Sequence, residues 1–352
     1  MKAVFFGTSA FAVPVLERLA SVAEVLAVVT QPDRPAGRGQ QLAATPVKRA
    51  AEALGIAVHV PLKLRAFAGE LAALAPERCV VASYGRIVPQ ALLDVVPLWM
   101  NVHPSLLPLY RGATPIQSAI RDGRTVTAVS IIAMDAGMDT GDLLAQTEPL
   151  AIGADETYGE LHDRLADIGA ELLLDALRAD ARGESYPNPQ SQRAHDLGLG
   201  DDEIARTVTR PFGKDDRVLP PYATAREAVD RIRSLAPSPG AQLIGGLRPA
   251  VGTTPLPPLK ILRAHISYES PLADGRDLPS GTVVAHRGYL YLRANDAWVV
   301  VDEVVPAGKS AMPIGAFANG RRVDDVYVPE DDVVDGLGAL RFRERTGELL
   351  AR

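Results

Sequence analysis

The residues best placed to do chemistry lie in the stretch 99–117, WMNVHPSLLPLYRGATPIQ, where polar groups stand between an apolar run and a helix start. In an extended strand, side chains two residues apart point the same way. Asn101 and His103 therefore share one face while Val102 packs on the other. An amide beside an imidazole offers two donors to an oxygen that develops negative charge. A third group follows the apolar run 126–132, in the acidic, glycine-punctuated loop 134–142, MDAGMDTGD. A carboxylate brought to the imidazole orients its tautomer and favours its charged form. Ser105 as a nucleophile beside His103 is a second possibility, but it lacks the G-x-S-x-G elbow. No cluster has the spacing of metal ligands, so no metal is expected. Taken alone, a histidine at a strand end is equally explained as a hydrogen-bonded structural residue.

These groups need a scaffold. Pro104 and Pro108 hold Ser105, Leu106 and Leu107 in a stiff loop, and 115–121 reads as a helix with proline in its first turn. Upstream, 3–6 reads as a buried strand, 11–20 as a helix and 24–30 as a strand. That order predicts a parallel α/β sheet. The first turn reads Gly7-Thr8-Ser9-Ala10-Phe11-Ala12 and departs from G-x-G-x-x-G, which argues against a dinucleotide site. A short strand at 58–60, a helix at 64–74 and a strand at 78–82 follow. Ser83 to Pro89 then lies at a carboxyl strand end, where open α/β sheets place ligands. Further strands are expected at 125–132 and 143–147, and an amphipathic helix at 157–179 closes the first domain with His162 on its surface.

The segment 31–41, QPDRPAGRGQQ, reads as an exposed loop, and Thr45-Pro46 opens a helix with Lys48 and Arg49 on its first turns. From 181 to about 239 the chain is rich in Arg, Asp, Pro and Gly and reads as linker plus one helix, 225–235. Short strands at 242–244, 259–267, 281–285, 289–293 and 297–305 suggest a small barrel. The expected organisation is a domain at 1–182, a linker at 183–205, a barrel domain at 206–325 and a tail at 326–352.

A length of 352 residues supports two domains, and 47% hydrophobic content supports sizeable cores. The net charge of −6 argues against a protein that is basic all over. It is uneven: residues 1–200 hold 17 Lys/Arg against 22 Asp/Glu, and residues 206–325 hold 16 against 12. The downstream half is the better suited of the two to a polyanion, but from charge alone a surplus of four over 120 residues reads as a solvated face. A lone cysteine, Cys79, permits no intrachain disulfide and fits a reducing, cytoplasmic compartment. The apolar start after Lys2 is broken by Gly7-Thr8-Ser9 and reads as a first strand rather than a signal peptide. No run reaches the ~18 apolar residues of a membrane span.

Asn101, His103 and Asp139, with Ser105-Leu106-Leu107-Pro108 and Asp139-Thr140-Gly141 around them, resemble the signature of formyltransferases that use 10-formyltetrahydrofolate. The loop QPDRPAGRG, and the segments 306–312 (PAGKSAM) and 317–322 (FANGRR), resemble the branch whose acceptor is initiator methionyl-tRNA. The resemblance implies a Rossmann-like formyltransferase domain followed by an OB-like β-barrel domain that binds tRNA, in a monomer. It implies that Asn101 and His103 stabilise an oxyanion, with Asp139 as the partner of His103 and a proton relay. Folate would be held by Ser105, Leu106, Leu107 and Pro108 and by backbone around Arg86, Ile87 and Val88. Arg34 and Arg38 would contact tRNA, with Lys48 and Arg49 extending that surface. On the barrel, Lys260, Arg263, Arg287, Arg293, Lys309, Arg321 and Arg322 would form a phosphate-contacting face. The branch often carries lysines where this chain has Gln40 and Gln41, and alanine where it has Pro104. The catalytic set alone is shared with glycinamide ribonucleotide and sugar-nucleotide formyltransferases and with formyltetrahydrofolate hydrolases, so those readings stay open on the motif.

Overall fold

The structure, a computed structural model, describes residues 1–36, 41–219, 223–243, 248–249, 259–272, 278–319 and 325–328. It divides into two units: Met1–Ser118, Val126–Ile152 and Glu160–Pro211 form the first, and Ala119–Thr125, Gly153–Gly159 and Phe212–Arg352 the second.

The first unit is built on seven strands: β1 (Lys2–Gly7), β2 (Glu24–Val29), β3 (Val58–His59), β4 (Arg78–Ala82), β5 (Trp99–His103), β6 (Ser130–Ala133) and β7 (Leu143–Gln146). Across the sheet they run β7-β6-β5-β4-β1-β2-β3. The five strands β1 to β5 pair in parallel, whereas β6 and β7 continue the sheet antiparallel. β1, β4 and β5 are buried along nearly their whole length, which is why they read as unbroken apolar runs. The first helices are α1 (Ala12–Val22) and α2 (Pro46–Ala53), the latter capped by Thr45, whose hydroxyl accepts the Lys48 N–H. After β5 comes α3 (Pro115–Arg121), and α4 (Tyr158–Ala181) buries Leu161, Leu165, Leu173 and Leu177 along one stripe.

Three expectations need correction. His162 is not a surface residue: it sits edge-on to the Phe11 ring, centroids 5.5 Å apart, with Nδ1 2.7 Å from Asp163. The expected loop 31–41 contains a two-stranded antiparallel ladder, Arg34–Ala36 against Gln41–Ala43. Its strands are three residues each, too short for alternation to announce them. The expected linker 183–205 contains helices α5 (Gln190–Asp196) and α6 (Asp201–Arg206), both in the first unit. Each spans two turns or fewer, too short for helical periodicity to show.

In the second unit, β8 (Ala241–Gln242), β9 (Arg248–Pro249), β10 (Leu259–Ser267), β11 (Val283–His286), β12 (Tyr289–Arg293), β13 (Trp298–Pro306), β14 (Met312–Pro313) and β15 (Asp325–Val328) form one antiparallel sheet. Its order is β8-β10-β13-β12-β11-β15-β9, with β14 on β13. Helix α7 (Ala225–Leu235) opens with a capping box between Thr224 and Glu227 and lays Val229, Ile232 and Leu235 into a core with Ile261, Val299 and Val301. Among the described residues no helix is long and apolar enough to cross a membrane.

Candidate active site

β5 carries Asn101 and His103 to the same side of the sheet, and the loop between β6 and β7 brings Asp139 to both. Asn101 Nδ2 donates to Asp139 Oδ1 at 3.1 Å, and His103 Nδ1 lies 3.6 Å from Oδ2. The Gly112 N–H also donates to Oδ2, at 2.9 Å. Nε2 of His103 is 3.0 Å from the Tyr110 carbonyl. A carbonyl only accepts, so Nε2 carries a hydrogen and Nδ1 is the nitrogen turned to Asp139. His103 is 4% exposed and Asn101 9% exposed, so water screens these contacts weakly.

The backbone around these groups is held under strain. Tyr110 (φ 59°) and Asp139 (φ 55°) are both left-handed, which costs a residue with a Cβ about 1–2 kcal/mol. Such conformations persist where neighbours over-determine them. Residues 207–210 hold the first: the Tyr110 N–H donates to Thr207 Oγ1 at 3.3 Å, Thr209 N–H to the Arg111 carbonyl at 2.8 Å, and Thr114 N–H to Thr209 Oγ1 at 3.0 Å. Gly112 (φ 107°) runs so close to Thr209 that a Cβ would lie 2.4 Å from its carbonyl oxygen. Gln190 holds the second, donating from Nε2 to the carbonyls of Asp139 and Gly141, each at 2.8 Å. Its Oε1 accepts from Arg111 Nε and Nη2 at 3.0 and 2.8 Å. Burial pushes the Arg111 guanidinium pKa down, opposed by the charges of Asp139 and Asp135.

The expected folate residues fall into two kinds. Ser105 and Leu107 have no exposed surface. Ser105 Oγ donates to the Leu109 carbonyl at 2.8 Å, and Leu107 packs with Ile132 and Leu143. Ser105 and Leu107 therefore shape the loop, while Leu106 is half-buried and Pro108 buried. After β4, Arg86 donates to the carbonyls of Pro61 and Leu62, each at 3.0 Å. It ties two loops together, leaving Ile87 and Leu62 79% and 80% exposed while Val88 is buried. Burial raises the Tyr84 phenol pKa, with Arg86 opposing.

Residues 1–177 match the formyl transferase family, and residues 215–322 match the formyl transferase C-terminal domain. The methionyl-tRNA formyltransferase of Heliobacterium modesticaldum is 39% identical over 335 residues, covering 92% of this chain and 98% of that protein. That of Halorhodospira halophila is 40% identical over 324 residues, covering 91% and 96%. The chain belongs to the methionyl-tRNA formyltransferase family. An N-formyltransferase from Helicobacter canadensis, solved with folinic acid and dTDP-3-aminofucose, shares the fold with a TM-score of 0.60 at 16% identity, over 87% of this chain and all of that one. HypX from Aquifex aeolicus, solved with tetrahydrofolic acid, does so with a TM-score of 0.55 at 14% identity, over 96% of this chain and 48% of that one.

The cations that the resemblance to methionyl-tRNA formyltransferases singled out are unequal. Lys48 Nζ pairs with Asp33 at 2.8 Å, so its charge is met locally, and that contact is the main reason its pKa is raised. Arg34 and Arg49 are exposed, donating to Gln31 Oε1 and the Ala44 carbonyl. Lys260, Arg263 and Lys309 are exposed, with Arg263 3.6 Å from Glu303. Arg293 Nη1 donates to the carbonyls of Ala294 and Ala297 and its guanidinium lies over the Trp298 ring, 5.6 Å from the centroid. Arg287 occupies the β11–β12 turn with φ 51°. Arg38, Arg321 and Arg322 lie outside the described residues.

Sequence reasoning assigned no role to Tyr110, Gly112, Thr207, Thr209 or Gln190. Tyr110 and Gly112 contribute backbone groups, which residue type does not advertise, and Thr207 and Thr209 contribute hydroxyls whose partners lie far upstream. Gln190 does carry a signal, since an uncharged amide just after a proline is a ready partner for loop carbonyls.

Proposed function

We propose that this chain transfers the formyl group of 10-formyltetrahydrofolate to the α-amine of methionine on initiator methionyl-tRNA, for initiation of translation. The observation that carries the reading is the convergence of Asn101, His103 and Gly112 on Asp139, in a chain that aligns with methionyl-tRNA formyltransferases over nearly their whole length. The loops after β3 and β4 fit a folate: the exposed apolar edges of Ile87 and Leu62 suit a flat heteroaromatic ring, and the backbone beside them supplies donors and acceptors.

The attacking α-amine titrates near ~8, so a fraction of it is neutral at pH 7. Its nitrogen bonds to the formyl carbon, the carbonyl oxygen takes up negative charge, and the bond from that carbon to the folate nitrogen then breaks. One hydrogen of Asn101 Nδ2 is used by Asp139, and the other serves the oxyanion. With Nε2–H held by the Tyr110 carbonyl, His103 Nδ1 has a hydrogen to give only when the ring is an imidazolium; in that form the gap between Nδ1 and Asp139, longer than a hydrogen bond, leaves it able to donate to that oxygen. Asp139 accepts the proton leaving the amine and returns it, through water, to the departing folate nitrogen. The exposed Arg34, Arg49, Lys260, Arg263 and Lys309 serve phosphates of the tRNA.

The test is formylation of charged initiator methionyl-tRNA by purified protein, beside glycinamide ribonucleotide, an amino-sugar nucleotide and no acceptor. Formyl-methionyl-tRNA, lost in His103→Ala and Asp139→Ala, is the expected result. Transfer to another amine, or release to water alone, refutes the acceptor assignment.

A further inference from the structure

We propose that Gln190 is a positioning residue for Asp139. Its amide makes four hydrogen bonds: two donated to the carbonyls of Asp139 and Gly141, and two accepted from the Arg111 guanidinium. Two donors and two acceptor lone pairs are all that a glutamine amide has. The residue is 4% exposed, so water does not substitute easily for a lost partner. The amide orientation is fixed by chemistry, because only the NH₂ end can face two carbonyls and only the oxygen can face a guanidinium.

Those partners bracket the site from both sides. One pair of bonds fixes the carbonyl oxygens of Asp139 and Gly141, on either side of Thr140, where the left-handed Asp139 is held against its own preference. The other fixes Arg111, which is the residue before Gly112 and so sets the N–H that donates to the Asp139 carboxylate. Gln190 is itself registered against the sheet: Asn188, two residues earlier, exchanges N–H to carbonyl bonds of 2.8 Å with Leu143 at the start of β7. Gly141 runs so close to the end of β6 that a Cβ there would overlap the Ala133 carbonyl oxygen, so only glycine fits beside Gln190's second acceptor. Gln190 thus joins the loop that carries the carboxylate to the loop that carries one of its donors, without touching the reacting atoms.

The inference rests on the proposed formyl transfer for its kinetic arm only. Gln190→Met keeps the chain length and removes all four bonds. Gln190→Glu keeps the acceptors for Arg111 and removes both donors to the carbonyls. In both variants kcat for methionyl-tRNA formylation falls about 10–100-fold, the size expected of a misplacement near 1 Å. KM for both substrates stays within about threefold, because substrate contacts are untouched. Amide hydrogen exchange at Gly112 quickens in both relative to wild type, and the pH profile of kcat changes shape. A role confined to stability lowers the melting temperature while leaving kcat and its pH profile unchanged below it, and that result overturns the proposal. Rescue by Gln190→Glu overturns it too, since the effect would then run through Arg111 alone. If wild type formylates no methionyl-tRNA, the functional reading falls, and Gly112 exchange still decides whether Gln190 positions Asp139.

Discussion

Replacing Asp139 by Asn tests whether the carboxylate, and not merely its shape, organises the site. In the native chain Oδ1 accepts from Asn101 and Oδ2 accepts from Gly112 N–H while facing His103 Nδ1. An asparagine has one oxygen and one NH₂, so either rotamer turns a donor towards a donor. The loss is one hydrogen bond to a charged acceptor, about 1.5–3 kcal/mol, with little relief from water because the Asp139 side chain is 17% exposed. For a domain of this size that lowers the melting temperature by roughly 3–10 °C. The chemical step suffers more, since the proton acceptor is gone: a positioned acid–base group contributes ~10²–10⁴-fold. A fall of about 10³-fold in kcat/KM corresponds to about 4 kcal/mol of lost transition-state stabilisation. The assay is steady-state formylation of methionyl-tRNA, run well below the melting temperature that calorimetry gives for the variant. Activity within about fivefold of wild type refutes the role given to Asp139, in proton transfer and in orienting His103 alike.

Gly112→Ala forces a Cβ to within 2.4 Å of the Thr209 carbonyl at φ 107°; calorimetry will show a loss of about 2–4 kcal/mol, with a fall in kcat. Thr209→Val removes the hydroxyl that donates to the Arg111 carbonyl and accepts from Thr114. It costs about 1–3 kcal/mol in urea unfolding, because a buried N–H is left without its acceptor. Burial pushes the Cys79 thiol pKa far up, so the folded protein resists a thiol-specific disulfide reagent at pH 8 and releases one thiol only in denaturant. Since the unfolded chain loses that proton first, stability falls as pH rises above ~8.5, and Cys79→Ala flattens that slope. Arg34→Ala lowers the salt dependence of tRNA binding by close to one counterion, whereas Lys48→Ala changes it less because Asp33 already meets that charge.

Asn101 and His103 were legible because a strand's period of two places alternate residues on one face, a rule that needs no tertiary information. Asp139 was legible as a candidate only, since nothing in the composition of 134–142 says which of Asp135, Asp139 and Asp142 turns inward. The structure separates them by backbone: Asp135 is spent inside its own loop, accepting from Gly137 N–H and Thr140 Oγ1, while the left-handed turn at Asp139 sends its carboxylate to β5. Segment 183–205 read as linker because it is polar and its helices are short, and 206–211 read as part of the barrel domain although it belongs to the first unit. The contribution of 183–211 is made through Thr207, Thr209 and Gln190, whose bonds run to loop backbone almost a hundred residues upstream or some fifty upstream. Such contacts follow from where the chain returns after α4, which local pattern does not encode.

The placement of the site follows from the sheet. Ligands in open α/β sheets bind where neighbouring strands lead away in opposite directions, and here that point lies between β1 and β4. The crevice is tied across by Ser9 Oγ donating to Ser83 Oγ at 2.7 Å and Thr8 Oγ1 donating to the Tyr84 carbonyl at 2.8 Å. One strand further on, β5 ends in His103 beside the antiparallel β6, whose loop supplies Asp139. A parallel strand in place of β6 would end beside His103, whereas the antiparallel β6 starts there and ends beside Met100. The antiparallel pair delivers a carboxylate from a nine-residue connection between Ala133 and Leu143. The same connection starts at the far end of β5, beside Met100, so it must fold back to reach His103. The left-handed turn at Asp139 lies within that return, where the Gln190 amide bonds the carbonyls of Asp139 and Gly141.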